Sequence, residues 1–228
     1  MTPEVHKRSL SDQMIDAILD LLASTGLENG AELPPARELA TRFGVSVPVV
    51  REAIVSLSAL GVLRRQQGKG CVVSTPDSGH VGRVLSLRVA TAHTTDESVQ
   101  LFREVIEVGS ARLAARSRTT EALKLLDRAM ERLRDAVTDA ELFDADVAFH
   151  AAVAQAGEND LLTITLDAIA PLLVRERERV WQGWVARGGS RDAIIDAHAA
   201  ILECIRAKDE TGSVEAMERH LAQARSGL

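Results

Sequence analysis

A mainly helical chain in two parts is predicted by this sequence: an amino-terminal unit of helices with one β-hairpin, then an all-helical bundle. Three observations carry that prediction. Helical periodicity is almost continuous beyond residue 82, strand-like character is confined to two short runs, VLRRQ and CVVST, and the turn-forming stretch TPDSGHVG separates the two regimes. The 228 residues are 46% hydrophobic and 26% charged, a balance that buries a real core and excludes disorder by composition. We therefore expect domains at 1–75 and 83–228 joined by a linker at 76–82.

The elements follow in order. Ile15, Ile18, Leu19 and Leu22 recur at helical spacing and predict a first helix over Ser11 to Ala23, ended by Gly26 and Asn29-Gly30. Pro34-Pro35 opens a short second helix, ARELATRF, because a proline is tolerated in a first turn. Gly44 stops it and makes a tight turn. Ser46 is placed to cap a third helix whose apolar stripe is Val50, Ile54 and Leu57, and Gly61 closes it. Gln67-Gly68-Lys69-Gly70 then forms the hairpin tip. Three helices and a hairpin, with a short turn between the second and third helices, make the winged helix-turn-helix layout. Beyond the linker, helices are expected near Arg83–Thr91, Asp96–Arg116, Thr120–Val137, Ala140–Gln155, Asp160–Arg179, Arg191–Lys208 and Val214–Arg225, about seven in a single bundle.

Several classes of function are disfavoured at this level. No apolar run approaches the roughly 18 to 20 residues of a membrane helix, and MTPEVHKRSL lacks the apolar core of a secretory signal, so a soluble cytoplasmic protein without a membrane partner is expected. Cys71 and Cys204 lie far apart without metal-type spacing, which disfavours a disulfide framework or a zinc ribbon. The net charge is −6, yet residues 1 to 75 carry eight basic and eight acidic side chains, so the remainder holds the whole deficit. Overall acidity argues against non-specific nucleic-acid binding and leaves room for one locally basic reading surface.

Arg51 lies four residues after Val47, which puts both on one face of the third helix, away from Val50 and Ile54. That is the placement a recognition helix needs to present side chains to a major groove. Arg64, Arg65 and Lys69 form a basic cluster in the hairpin suited to phosphates, and equally suited to guarding an edge strand.

The stretch LPPARELATRFGVSVPVVREAIVSLSALGVLRRQQGKGCVV resembles the DNA-binding domain of the GntR family of bacterial regulators, through ELA, FGVS, VREAI, LSALGVL and the GKG wing. The resemblance implies that Arg51 contacts a base or phosphate and that Ser46 and Val47 lie at the entry of the recognition helix. It also implies that Arg37 reaches the backbone or a base, and that the tip Gly68, Lys69 and Gly70 lies over the minor groove. This chain departs from the family pattern at Pro35 and Ala36, where serine and glutamate are usual, and at Val47, where arginine is usual. Losing a bidentate guanine contact there removes about 1 to 3 kcal/mol of discrimination, or transfers that position to a thymine methyl.

In the helical part, DVAFH places Asp146 and His150 one turn apart on one helix face, with Phe149 toward the core. His198 in DAHAAIL and His220 in MERHL lie on two further helices beside apolar stripes, so the four side chains can converge. Three imidazoles and a carboxylate suit a divalent ion such as zinc, nickel or manganese. Taken singly, each histidine reads as a satisfied core or boundary residue; His6, His80 and His93 carry no pattern. REVIE, DVAFH, GEND, DAHAAIL and MERHL occur in the order found in the FCD ligand-binding domain of FadR-like GntR regulators, a resemblance covering roughly Asp96 to Leu221. It implies that Asp146, His150, His198 and His220 hold the metal, with zinc first in order, and that Arg103 holds the carboxylate of a small organic acid. By spacing alone, an i,i+4 ion pair between Arg103 and Glu107 is the competing assignment. Trp181 and Trp184 are pocket, core or interface aromatics.

A homodimeric, ligand-responsive regulator of double-stranded operator DNA, a repressor, is the function this implies. The alternatives are a metal-dependent enzyme acting on a small carboxylate, and a regulator whose metal is structural or is itself the signal. The enzyme is disfavoured because no unclaimed general base or nucleophile stands beside the ligands in sequence.

Overall fold

The computed structural model describes residues 8–92 and 94–225, which divide into two compact units between His80 and Val81. His6 and His93 lie outside the described residues.

The first unit contains α1 (Leu10–Thr25), α2 (Ala36–Phe43), α3 (Val47–Ala59), β1 (Leu63–Gln66) and β2 (Gly70–Val73). Ser9 and Asp12 close a reciprocal capping box at the start of α1. The face of α1 that is buried is Met14, Ile18 and Leu21, with Leu19 39% exposed. Only Ile18 of the expected stripe is fully buried, because α1 is apolar at both phases of the helical repeat and its packing on α3 selects between them. Pro35 is the N-cap of α2 and lies outside its first turn. Gly44 closes α2 in the left-handed conformation (φ 67°). Ser46 occupies the N-cap position of α3, but its hydroxyl makes no capping bond. Ile18, Leu39, Val50, Ala53 and Leu57 fill the core at 0% exposure. Ile54, expected in the stripe of α3, is half-buried beside them.

β1 and β2 pair antiparallel, from Leu63 opposite Val73 to Gln66 opposite Gly70. Glu32 bridges to Val72 on the other side of β2, held by Leu33 N–H to the Cys71 carbonyl and Val73 N–H to the Ala31 carbonyl, both at 2.8 Å. The sequence around Ala31 and Glu32 gives no strand signal, since two residues are too few for alternation to register. At Gly61 (φ 79°) a Cβ would sit 2.5 Å from the His80 ring, so the turn after α3 needs glycine for conformation and for space.

The second unit consists of α4 (Ser78–Thr91, whose first turn precedes the division), α5 (Asp96–Ser117), α6 (Thr120–Asp135), α7 (Asp139–Ala156), α8 (Asp160–Ala186), α9 (Arg191–Ala207) and α10 (Glu210–Arg225). α4 begins inside the expected linker: Asp77 accepts the His80 N–H at 3.0 Å and caps a helix that the glycines at 79 and 82 disguise. Thr95, Thr119, Thr138, Asn159 and Ser190 cap the next helices through their side chains. α8 runs past Pro171 and beyond Arg179 to Ala186, where Gly188-Gly189 stops it. The core packs Leu126, Leu133, Phe149, Ile201 and Met217 between α6, α7, α9 and α10. No described helix is long and apolar enough to cross a membrane.

Candidate metal centre and nucleic-acid surface

The four residues of the expected ligand set sit on three helices. α7 carries Asp146 and His150, α9 carries His198 and α10 carries His220, with Phe149 buried at 0% on the core side. The structure brings all four together: one donor atom from each lies within 4.8 Å of all the others. His150 Nε2 is 3.2 Å from His220 Nε2, His198 Nε2 is 3.1 Å from Asp146 Oδ1, and His150 Nε2 is 3.6 Å from the same oxygen. Ligands about 2.0–2.2 Å from a tetrahedral ion stand roughly 3.3–3.6 Å apart, so the donor set suits a divalent metal in chemistry and these three contacts lie close to that spacing.

Orientation is set by the outer nitrogens. His198 Nδ1 lies 2.8 Å from the Ile194 carbonyl. A carbonyl only accepts, so Nδ1 donates to it, and this bond orients the ring with Nε2 toward Asp146. His150 Nδ1 lies 2.7 Å from Glu107 Oε2, approached obliquely. Burial opposes a charge on His150, but Glu107 and Asp146 outweigh it and raise its pKa, whereas burial and the neighbouring His198 and His150 push His220 well below its ordinary value.

Arg103 and Glu107 on α5 are 4% and 1% exposed. Arg103 Nε donates to Glu107 Oε1 at 2.6 Å and Nη2 to Oε2 at 3.5 Å. Burial alone would raise the Glu107 carboxyl; Arg103 and His150 overcome it and hold the group far below the usual carboxylate range. Arg103 also lines a cavity of about 70 Å³, with Asp146, His220 and Gln223 beside it and Leu142, Phe143, Val180, Trp181, Trp184 and Ile194 around the rest. The ion pair expected from spacing forms, and the same arginine lines the cavity. Trp181 and Trp184 line this cavity, their indole N–H groups held by Asp139 Oδ2 and the Ser190 carbonyl at 2.9 and 3.1 Å. Sequence reasoning registered Glu107 only as a partner of Arg103. Its contact with His150 joins α5 to α7, a pairing across 43 positions that no local spacing reveals.

In the first unit, Ser46, Val47 and Arg51 lie along the amino-terminal half of α3. Arg51 is exposed, while Val47 is half-buried against the core, so this position offers a partly covered methyl surface where the family usually has a charge. Arg37 is exposed in the first turn of α2. Gly68, Lys69 and Gly70 are exposed at the hairpin tip, with both glycines at φ near 80°. Only glycine adopts that conformation without strain, which lets the tip turn within three residues.

A winged helix-turn-helix followed by an all-helical domain is the architecture of a DNA-binding transcriptional regulator with an appended helical domain. Residues 98–223 match the FCD domain, and residues 10–73 match the bacterial regulatory proteins of the gntR family; the chain belongs to the GntR transcriptional regulators that carry an FCD domain. It is 29% identical to the HTH-type transcriptional regulator LutR of Bacillus subtilis over 89% of this chain and 93% of that protein. It is 28% identical to the HTH-type transcriptional repressor NanR of Klebsiella aerogenes over 94% and 84%. The solved structure of Streptococcus agalactiae GntR superposes with a TM-score of 0.68 at 26% identity, covering 95% of this chain and 99% of that one.

Proposed function

We propose that this chain is a homodimeric repressor whose grip on operator DNA is set by a small organic acid bound at a divalent metal, zinc before nickel or manganese, in the helical domain. The convergence of Asp146, His150, His198 and His220, two of which, Asp146 and His220, line the same cavity as Arg103, is the observation that carries it. We take residues 1–75 as the DNA-binding domain and 83–228 as the sensor, working in the cytoplasm. The repressor assignment draws on the description of NanR.

Within the DNA-binding domain, Arg51 presents its guanidinium fork to a base edge or phosphate from α3, with Ser46 and Val47 at the entry of that helix. Arg37 meets the backbone or a base from α2, and Gly68, Lys69 and Gly70 approach the minor groove. In the sensor, Asp146, His150, His198 and His220 would hold the ion, which supplies positive charge for a carboxylate oxygen. Arg103 offers the remaining N–H donors for the same anion, and Trp181 and Trp184 cover its apolar part. Coupling requires the acid to bind one arrangement of the helices more tightly than another, and so to change how two α3 helices meet a two-fold operator.

The test is retardation of DNA from upstream of the chain's own gene, at moderate salt, with zinc present and small mono- and dicarboxylates added in turn. Binding that one acid releases is the expected result. No retardation under any condition contradicts the regulator, and retardation indifferent to every acid contradicts the sensor.

A further inference from the structure

Glu107 touches both halves of the sensor site and is assigned to neither. Its carboxylate takes Arg103 through Nε at 2.6 Å and Nη2 at 3.5 Å, and Oε2 also stands 2.7 Å from His150 Nδ1. All three side chains are at most about 5% exposed. A carboxylate buried this deeply persists only with opposite charge or donors against it, and here both come from residues with a ligand to hold.

We propose that Glu107 is a positioning residue that couples the two sites: it holds His150 with Nε2 presented to the cluster and holds Arg103 at the cavity wall, so that occupancy of either site strengthens the other. This rests on the sensor function proposed above.

Two imidazoles of the cluster are oriented from behind, and the orienting groups differ. His198 is held by the neutral Ile194 backbone carbonyl at 2.8 Å, which carries no charge for a ligand to draw on. His150 is held by a charge, and that charge is shared with the arginine that faces the cavity. An anion that draws on the donors of Arg103 leaves Glu107 less neutralised. Glu107 then bears harder on the His150 Nδ1 proton, and Nε2 becomes the stronger donor. Binding linkage is reciprocal, so a filled cluster must favour the anion by the same factor. α5 supplies both Arg103 and Glu107 on one buried face, at the i,i+4 spacing that lets one side chain brace the other.

The experiment compares full-length wild type with Glu107→Gln, and with a double variant, Arg103→Gln with Glu107→Gln, which removes both buried charges and so leaves no uncompensated one if the single variant folds poorly. Zinc affinity is measured by competition with a chromophoric chelator, in chloride and in acetate of equal ionic strength, and the His150 tautomer of the metal-free protein is read from its imidazole ¹⁵N shifts. We expect both variants to bind zinc about 10- to 100-fold more weakly. We also expect His150 to lose its Nδ1–H preference, and acetate to tighten zinc in wild type alone. Unchanged zinc affinity with an unchanged tautomer overturns the proposal, as does an acetate effect that is equal in wild type and variants or absent from wild type. Wild type that takes up no zinc at all instead defeats the metal site itself, and the tautomer measurement still decides whether Glu107 positions His150.

Discussion

Replacing His198 with alanine separates a metal-holding role from a packing role. The side chain is 0% exposed, sits edge-on to Phe149 at 4.8 Å, donates from Nδ1 to Ile194 and faces Asp146 through Nε2. In the metal-free protein the substitution removes buried contacts and one hydrogen bond, a loss of about 2–4 kcal/mol. With zinc at about 100 times its dissociation constant, wild type gains about 2.7 kcal/mol. At roughly 2–4 °C per kcal/mol for a chain of this size, that is a rise of roughly 5–10 °C. Loss of one of four donors that weakens zinc 100-fold leaves about 0.4 kcal/mol at the same free zinc, a shift of less than about 2 °C. Thermal unfolding of both proteins with chelator and with buffered zinc measures all four values. If His198→Ala keeps the full zinc shift of wild type, His198 does not hold the ion.

Arg51→Ala should weaken binding to the upstream DNA by about 1–3 kcal/mol, read by fluorescence anisotropy, and unchanged binding would remove α3 from the groove. Lys69→Ala should lower affinity across all sequences alike and reduce the slope of log K against log salt by about 1; a change in base preference would contradict a phosphate role. Phe149→Ala should cost about 3–5 kcal/mol in denaturant unfolding, since it empties the centre of the α6–α7–α9–α10 core. His220 has a folded-state pKa held well below its ordinary value by burial and by His198 and His150, so its contribution is present above about pH 6.5 and is lost as pH falls below it. Because His150 is shifted in the opposite sense, the informative quantity is the stability of metal-free wild type minus that of His220→Gln, which should shrink on acidification from pH 7.5 to 5.5. A constant difference would contradict a buried neutral His220.

What could be read in the sequence was whatever repeats locally. Helical period and glycine stops located every helix among the described residues, and the DVAFH, DAHAAIL and MERHL segments located the four donors that the structure gathers. Phase was less legible than period: α1 is apolar on two adjoining stripes, and only contact with α3 decides that Met14 and Leu21 are buried while Leu19 is exposed. The start of α4 was hidden because Asp77, which accepts the His80 N–H there, lies among the turn formers expected as linker. Least legible were contacts between distant segments. The Glu32 bridge to Val72 and the Glu107 contact with His150 each join residues about forty positions apart with no shared pattern. Arg103 shows the same limit: its spacing to Glu107 announced the ion pair, but only the fold shows that the paired arginine also lines the cavity.

The central claim is that three imidazoles and one carboxylate on α7, α9 and α10 hold the ion to which a regulating acid binds. Anomalous diffraction at the zinc edge from zinc-loaded crystals addresses it most directly. The prediction is one strong peak about 2.0–2.2 Å from Asp146, His150, His198 and His220 together. A peak elsewhere, or none at that cluster in crystals whose solution zinc is saturating, would contradict it.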